Sequence, residues 1–220
     1  MKLSLPLLPL VLAMTTALAS GCAHEHHAHD DAHHRFENAT EWSQTFEDPA
    51  RDAWQKPDQV IQALALRQDA RVADIGSATG YFPVRIARAV PQGQVIGSDI
   101  EPSMVEYLAQ RARKEGLANL QAVLATPDDP KIPGPVDLIL VVDTYHHLED
   151  RPAYFRRLAP LLGKEGRLAI IDFRPDSSKG PQEKLASQVV IEELAQAGYS
   201  LIQQHGFLPE QYFLELRPAR

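Results

Sequence analysis

Between Arg71 and Phe173 the chain alternates short apolar runs with amphipathic ones, and this alternation limits the fold more than any other feature of its 220 residues. Arg71 to Ile75 reads as a strand closed by a glycine turn, Tyr81 to Ala89 as a helix, and Gln94 to Ser98 as a second strand. Pro102, suited to the first turn of a helix, opens an amphipathic run to Glu115 that Gly116 ends. Leu120 to Leu124 is a third strand. Val136 to Val142 is an apolar run too short for a helix, which fits a strand covered on both faces. Arg151 to Leu162 reads as a helix with Gly163 and Gly166 marking its end, Arg167 to Phe173 as a fifth strand, and Pro181 to Ala197 as a helix closed by Gly198. Strands alternating with helices imply a doubly wound α/β sheet, mostly parallel. The carboxyl end differs: Tyr199 to His205 and Gln211 to Leu216 are joined by too few residues for a crossover, so they pair as an antiparallel β-hairpin.

The amino terminus reads as an address. Met1-Lys2 is followed by an apolar run, Leu3 to Leu18, broken by Pro6 and Pro9, and then by Ala19-Ser20-Gly21-Cys22; this is the pattern of a signal peptide over residues 1–21. A membrane-spanning helix needs about 20 apolar residues, more than this run supplies. Small residues before a cysteine resemble the lipobox of bacterial lipoproteins. That resemblance implies lipidation at Cys22 and an exported protein anchored to a bacterial membrane, facing the periplasm. Cys22 is the only cysteine, which excludes an intramolecular disulfide and a cysteine-cluster metal site. Residues 22–35 form a tether that holds six of the nine histidines, and His24, His26, His27 and His29 are its candidate metal ligands. The plainer alternative is a solvated spacer. A formal charge of −7 argues against a nucleic-acid partner, whose phosphates require a basic surface.

The turn after the first strand, Asp74-Ile75-Gly76-Ser77-Ala78-Thr79-Gly80, lies at the carboxyl end of a strand, where open α/β sheets bind ligands. Its glycines would let the backbone approach a ligand, and the next helix offers free N–H groups. A dinucleotide fingerprint counted from Gly76 requires glycine at positions 78 and 81, which are Ala and Tyr, so NAD is disfavoured. Asp99 ends the second strand, where a carboxylate can accept both hydroxyls of a ribose.

At this point the chain resembles the class I S-adenosylmethionine-dependent methyltransferases. Val72-Ala73-Asp74-Ile75-Gly76-Ser77-Ala78-Thr79-Gly80-Tyr81-Phe82 is similar to their first motif, and Gly97-Ser98-Asp99-Ile100-Glu101-Pro102-Ser103-Met104 to their second-strand acidic motif. Val136 to Leu148 resembles their fourth-strand motif, and Leu161 to Leu168 their post-helix glycine turn. The resemblance implies a Rossmann-like, seven-stranded methyltransferase fold over residues 71–220, with residues 36–70 as an arm or lid and S-adenosyl-L-methionine as cofactor. It also implies roles. Asp74 would reach the cofactor's amino group, Gly76, Ser77, Ala78 and Gly80 would pass its methionine portion, Asp99 would hold the ribose and Ile100 would lie against the adenine. Ala78 stands where the family usually has glycine. The acid that meets the adenine amino group in many relatives has no counterpart at Ala125-Thr126, so that contact is either missing or shifted to Asp128 or Asp129. Asp143, at the end of the fourth strand, joins the cofactor set.

Methyl transfer needs alignment above all, and a base only where the acceptor must lose a proton. Candidate bases lie after the fourth strand: Asp143, Tyr145, His146 and His147. The two histidines are the catalytic candidates by intrinsic pKa, with packing at the next helix start as the alternative. Trp42 and Trp54 in the arm suit either a lid or a packing role. The acceptor is expected to be small or lipidic. Because S-adenosylmethionine is made in the cytosol, an export signal leaves a second reading open: a non-catalytic ligand- or metal-binding lipoprotein that retains the fold.

Overall fold

The computed structural model describes Met1 and residues 36–219. The leader beyond Met1, Cys22 and the candidate ligands His24, His26, His27 and His29 lie outside the described residues. An arm of three short helices comes first: α1 (Ala39–Phe46), α2 (Asp52–Gln55), preceded by the 3-10 turn Pro49–Arg51, and α3 (Pro57–Leu64). Then follow β1 (Arg71–Ile75), α4 (Tyr81–Ala89), β2 (Gln94–Asp99), α5 (Pro102–Lys114), β3 (Leu120–Leu124) and β4 (Val136–Val142). After a 3-10 turn at Tyr145–His147 come α6 (Arg151–Leu158), β5 (Leu162–Phe173), α7 (Ser187–Gln196), β6 (Tyr199–His205) and β7 (Gln211–Pro218).

The strands form one sheet in the order β3-β2-β1-β4-β5-β7-β6. Strands β1 to β5 are parallel, β7 lies antiparallel between β5 and β6, and β6 is the edge. The apolar run of β4 splits by strand periodicity. Leu138 and Leu140 pack with Val72, Ile86 and Leu108 on the face covered by α3, α4 and α5. Ile139 and Val141 pack with Phe155, Leu158 and Leu194 on the face covered by α6 and α7. Full burial of each such side chain contributes about 1.5–3 kcal/mol. Right-handed crossovers require this division: the chain winds outward from β1 to β3, then restarts at β4 and winds the other way. The order therefore reverses between β1 and β4, and their carboxyl ends flank the crevice in which such sheets bind ligands.

Three boundaries depart from the sequence pattern. Helix α6 ends at Leu158 and tightens into a 3-10 turn, because Pro160 lacks the N–H that the helix would need. Strand β5 starts at Leu162, so Gly163 and Gly166 are strand residues. The ladder slips there, with Val136 opposite Leu162 but Leu138 opposite Arg167, and a Cβ on Gly166 would lie 2.8 Å from the Gly163 nitrogen. Helix α7 starts only at Ser187, because Ala186 is still extended. No helix among the described residues is long and apolar enough to cross a membrane.

Candidate functional site

The turn between β1 and α4 is held by backbone and by close packing. The N–H groups of Gly76 and Ser77 both donate to the Ser98 carbonyl of β2, at 2.8 and 3.1 Å. Gly76 and Gly80 have φ of 73° and 95°, a region that favours glycine. A Cβ on Gly76 would collide with the Thr144 side chain, and one on Gly80 with Leu108. Neighbouring side chains thus fill the space a Cβ would need, while Gly76 also lines the hollow described below. Ala78 takes φ 45°, the conformation glycine would take, at a cost of roughly 1–2 kcal/mol. Its N–H donates to Asp99 Oδ2 at 2.8 Å.

Asp74, Ser77 and Asp99 converge at the top of β1 and β2. Asp74 is buried, and neither its Oδ1 nor Ser77 Oγ has a hydrogen-bond partner among the described residues. Burial, reinforced by Asp99 and opposed by Arg51, pushes the Asp74 carboxyl well above the usual range. Asp99 accepts from the Glu101 N–H at 2.9 Å as well as from Ala78, and burial outweighs those donors, so it too is raised. Ile100 and Leu124 extend the adjoining ends of β2 and β3, and both apolar side chains are unusually exposed, at 53% and 51%. Asp128, by contrast, is 92% exposed on its side chain and lies 3.6 Å from Arg157, with nothing aiming it at the crevice. Its neighbour Asp129 pairs with Lys131.

The arm lies across this crevice. Glu47, just past α1, accepts from Thr79 Oγ1 at 2.6 Å and pairs with Arg111 of α5. Asp52 accepts from the Tyr81 hydroxyl, and the Arg51 guanidinium stands 4.2 Å over the Tyr81 ring. Beneath it remains a hollow of about 30 Å³, lined by Phe46 and Arg51 of the arm and by Asp74, Ser77, Thr79 and Tyr81. That is room for about one water, whereas a small-molecule site spans roughly 300–1,000 Å³.

A second polar cluster caps β4 and β5. Asp143, at φ 52°, accepts from Arg51 Nη2 at 3.3 Å, from Gln55 Nε2 at 3.0 Å, and from the Gln211 amide of β7. Burial pushes its pKa up to about 6; Arg51 opposes the rise and Asp172 adds to it. Asp172, at the end of β5 and 2% exposed, holds His146. The two carboxylate oxygens lie 2.9 Å from His146 Nδ1, and Oδ2 also accepts the His146 backbone N–H at 3.3 Å. Because a carboxylate only accepts, the neutral ring carries its proton on Nδ1 and its lone pair on Nε2. His147 lies against His146, with ring centroids 4.1 Å apart, and beside Phe36, whose ring is 6.0 Å away. Tyr145 is removed from the candidate bases: it is fully buried, stacks on Phe155 and donates to Glu193 at 2.7 Å. Burial and the adjacent Glu193 push its phenol far above the ordinary range, the wrong direction for a base near neutrality.

Sequence reasoning missed Arg51, Gln55, Leu124, Asp172 and Gln211. Asp172 carried a usable signal, since it is an acid next to the last residue of β5, much as Asp99 ends β2. The others carried none, for their partners are 88 positions away for Gln55 and 68 for Gln211.

Comparison with known proteins agrees with this geometry. A family model described as "Methyltransferase domain" matches residues 66–206. The (S)-coclaurine N-methyltransferase of Thalictrum flavum subsp. glaucum is 26% identical over 99 residues, 45% of this chain and 27% of that protein. The ubiquinone/menaquinone biosynthesis C-methyltransferase UbiE of Pseudomonas putida is 31% identical over 124 residues, 54% of this chain and 48% of its own length. The chain thus spans about a quarter to a half of these curated relatives. Among solved structures, a SAM dependent methyltransferase from Aquifex aeolicus superposes with a TM-score of 0.73 at 24% identity, over 81% of this chain and 97% of that one. That likeness shows the same seven-stranded, mostly parallel α/β fold. With the family model covering most of the folded chain, this protein belongs to the methyltransferase-domain family, whose cofactor is S-adenosylmethionine.

Proposed function

We propose that this chain is an S-adenosylmethionine-dependent methyltransferase acting on a small or lipid-like acceptor that carries an ionisable proton. One observation carries the reading: Asp74 Oδ1 and Ser77 Oγ lack partners at the carboxyl end of β1, and a histidine–carboxylate pair follows the adjoining strand β4. The donor set fits the cofactor chemically. Asp99 keeps lone pairs for ribose hydroxyls, Ile100 and Leu124 offer apolar surface for an adenine, and Asp74 suits an ammonium group. The hollow beneath the arm is smaller than the cofactor, so in this reading the arm shifts outward to admit the ligand and then rests over it.

When bound, S-adenosylmethionine supplies an electrophilic methyl group on a sulfonium. Everything else falls to the chain. Asp99, Asp74 and Ser77 hold and orient, and the closed arm excludes water. His146 takes the acceptor's proton at Nε2, while Asp172 fixes the tautomer and stabilises the imidazolium that results. Such a base contributes about 10²–10⁴ in rate. The aromatic side chains Phe36, Trp42 and Phe46, packed in sequence with centroids 4.8 and 5.5 Å apart, border His147 and favour an acceptor with apolar surface. The non-catalytic lipoprotein alternative gains no support from the relatives, which are named as methyltransferases.

Calorimetric titration of the full chain with S-adenosylhomocysteine tests the cofactor reading. Micromolar binding is expected, lost in Asp99→Ala; absence of heat in the wild type overturns it. Export and lipid anchoring are proposed on the leader pattern and Cys22 alone. Labelled fatty acid should enter the wild-type chain and not Cys22→Ser, and equal labelling of both would overturn the anchor.

A further inference from the structure

Arg51 belongs to the arm, yet it lines the same hollow as Asp74, Ser77 and Thr79, and among the described residues lining that hollow it carries the one positive charge. Its guanidinium is shared. Nη1 donates to the Phe46 carbonyl at 2.9 Å, Nε to Gln55, and Nη2 pairs with Asp143 at 3.3 Å, while the plane rests on Tyr81. Five N–H bonds in a planar fork leave donors unused after these three contacts.

The amino-acid end of the cofactor is a zwitterion, and each charge needs a complement. Asp74 answers the ammonium. The turn offers the carboxylate no charge and few donors: the N–H groups of Gly76 and Ser77 are committed to Ser98, that of Ala78 to Asp99 and that of Gly80 to Ser77, which leaves the neutral N–H groups of Thr79 and the start of α4. Arg51 is the charged donor that remains, and its fork geometry matches a carboxylate.

We propose that Arg51 is the arm's contribution to the cofactor site: its guanidinium binds the carboxylate of the amino-acid end and gives up the Asp143 ion pair to do so. This rests on the S-adenosylmethionine reading above. In the closed arrangement Asp143 occupies Arg51 as a stand-in carboxylate. Ligand entry exchanges one carboxylate for another, so the arm can close over the ligand through the side chain that now latches it to β4. Gln55 and Gln211 stay on Asp143 after the exchange, and Asp172 and His146 face it from β5 and the 3-10 turn.

Two ligands separate the outcomes. S-adenosylhomocysteine keeps the carboxylate; 5′-methylthioadenosine lacks the whole amino-acid end. Titrated calorimetrically into the full chain, Arg51→Met should weaken S-adenosylhomocysteine about 10- to 100-fold, the range for a charge-assisted contact, and leave 5′-methylthioadenosine within about threefold. Arg51→Lys should recover part of the loss. Asp143→Asn should tighten S-adenosylhomocysteine severalfold, because the competitor for Arg51 loses its charge. Equal effects of Arg51→Met on both ligands, or none on either, would overturn the proposal. Should that variant not fold, an Asp143→Asn protein with an unchanged ratio of the two affinities would overturn it as well. A wild type that binds both ligands equally defeats the Arg51 role but keeps an adenosyl pocket, whereas one that binds neither defeats the cofactor reading and this proposal together.

Discussion

The two sides of the crevice are built differently. On the β1–β2 side the polar groups belong to one contiguous stretch and hold one another through the backbone: Ser98 takes two N–H groups of the turn, and Asp99 takes a third. On the β4–β5 side the polar groups come from four separate segments, the arm, the β4 end, the β5 end and β7, and they meet as side chains around Asp143 and Asp172. The first side is a cradle fixed through the backbone, which suits the proposed binding role. The second is a network whose members can change partners, which suits proton transfer and a moving arm. Arg51 joins the two, lining the cradle while paired to the network.

If this division holds, the largest effect belongs to the network side and spares binding. His146→Ala should lower methyl transfer from labelled cofactor by about 10²–10⁴ while S-adenosylhomocysteine affinity stays within about threefold. Asp172→Asn should follow it, because the tautomer and orientation of His146 are no longer held. Loss of binding in either variant would break the comparison. The cradle should show the reverse. Asp99→Ala should weaken S-adenosylhomocysteine by about 100-fold or more, since the ribose partners and the support of Ala78 go together.

Stability sharpens the contrast next. Gly76→Ala forces a methyl group into Thr144 and a side chain into positive φ, so a cost of about 2–4 kcal/mol is expected in chemical denaturation. The smaller effect is pH-dependent and belongs to Asp143. Its folded pKa of about 6 stands above the unfolded value, so its contribution is fully present below about pH 4 and is lost as pH rises through 6. Asp143→Asn should therefore gain on the wild type by up to about 3 kcal/mol on going from pH 4 to pH 7.5, since each pH unit between the folded and unfolded titrations corresponds to about 1.4 kcal/mol. A difference that does not vary with pH would place Asp143 outside the network described.

Legibility in the sequence followed the same divide. Asp74, Gly76, Gly80 and Asp99 could be picked out because their roles depend on position at a strand end or in a turn, and such positions are set by residues a few places away. The choice between His146 and His147 could not be made from adjacency. The proposal of His146 rests on Asp172, 26 positions on, which parallel pairing of β4 with β5 brings to that histidine. Tyr145 looked like a rim residue in the linear order, yet the 3-10 turn swings it into the core against Phe155. Gly163 and Gly166 resembled a helix end because glycine punctuates helices and bulges alike, and only the slipped ladder tells the two apart.

What the sequence determined by itself was the set of elements and the kind of sheet they make. Hydrophobic period, proline and glycine act over one or two turns, and right-handed crossover leaves few ways to wind five strands with helices between them. What the tertiary structure alone decided was the insertion of β7 beside β5, the arm closed over the cradle, and the partners of Arg51, Asp143 and His146. Those depend on side chains from distant segments competing for the same buried space and the same charges. No local period encodes that competition; it is resolved only when the segments pack together.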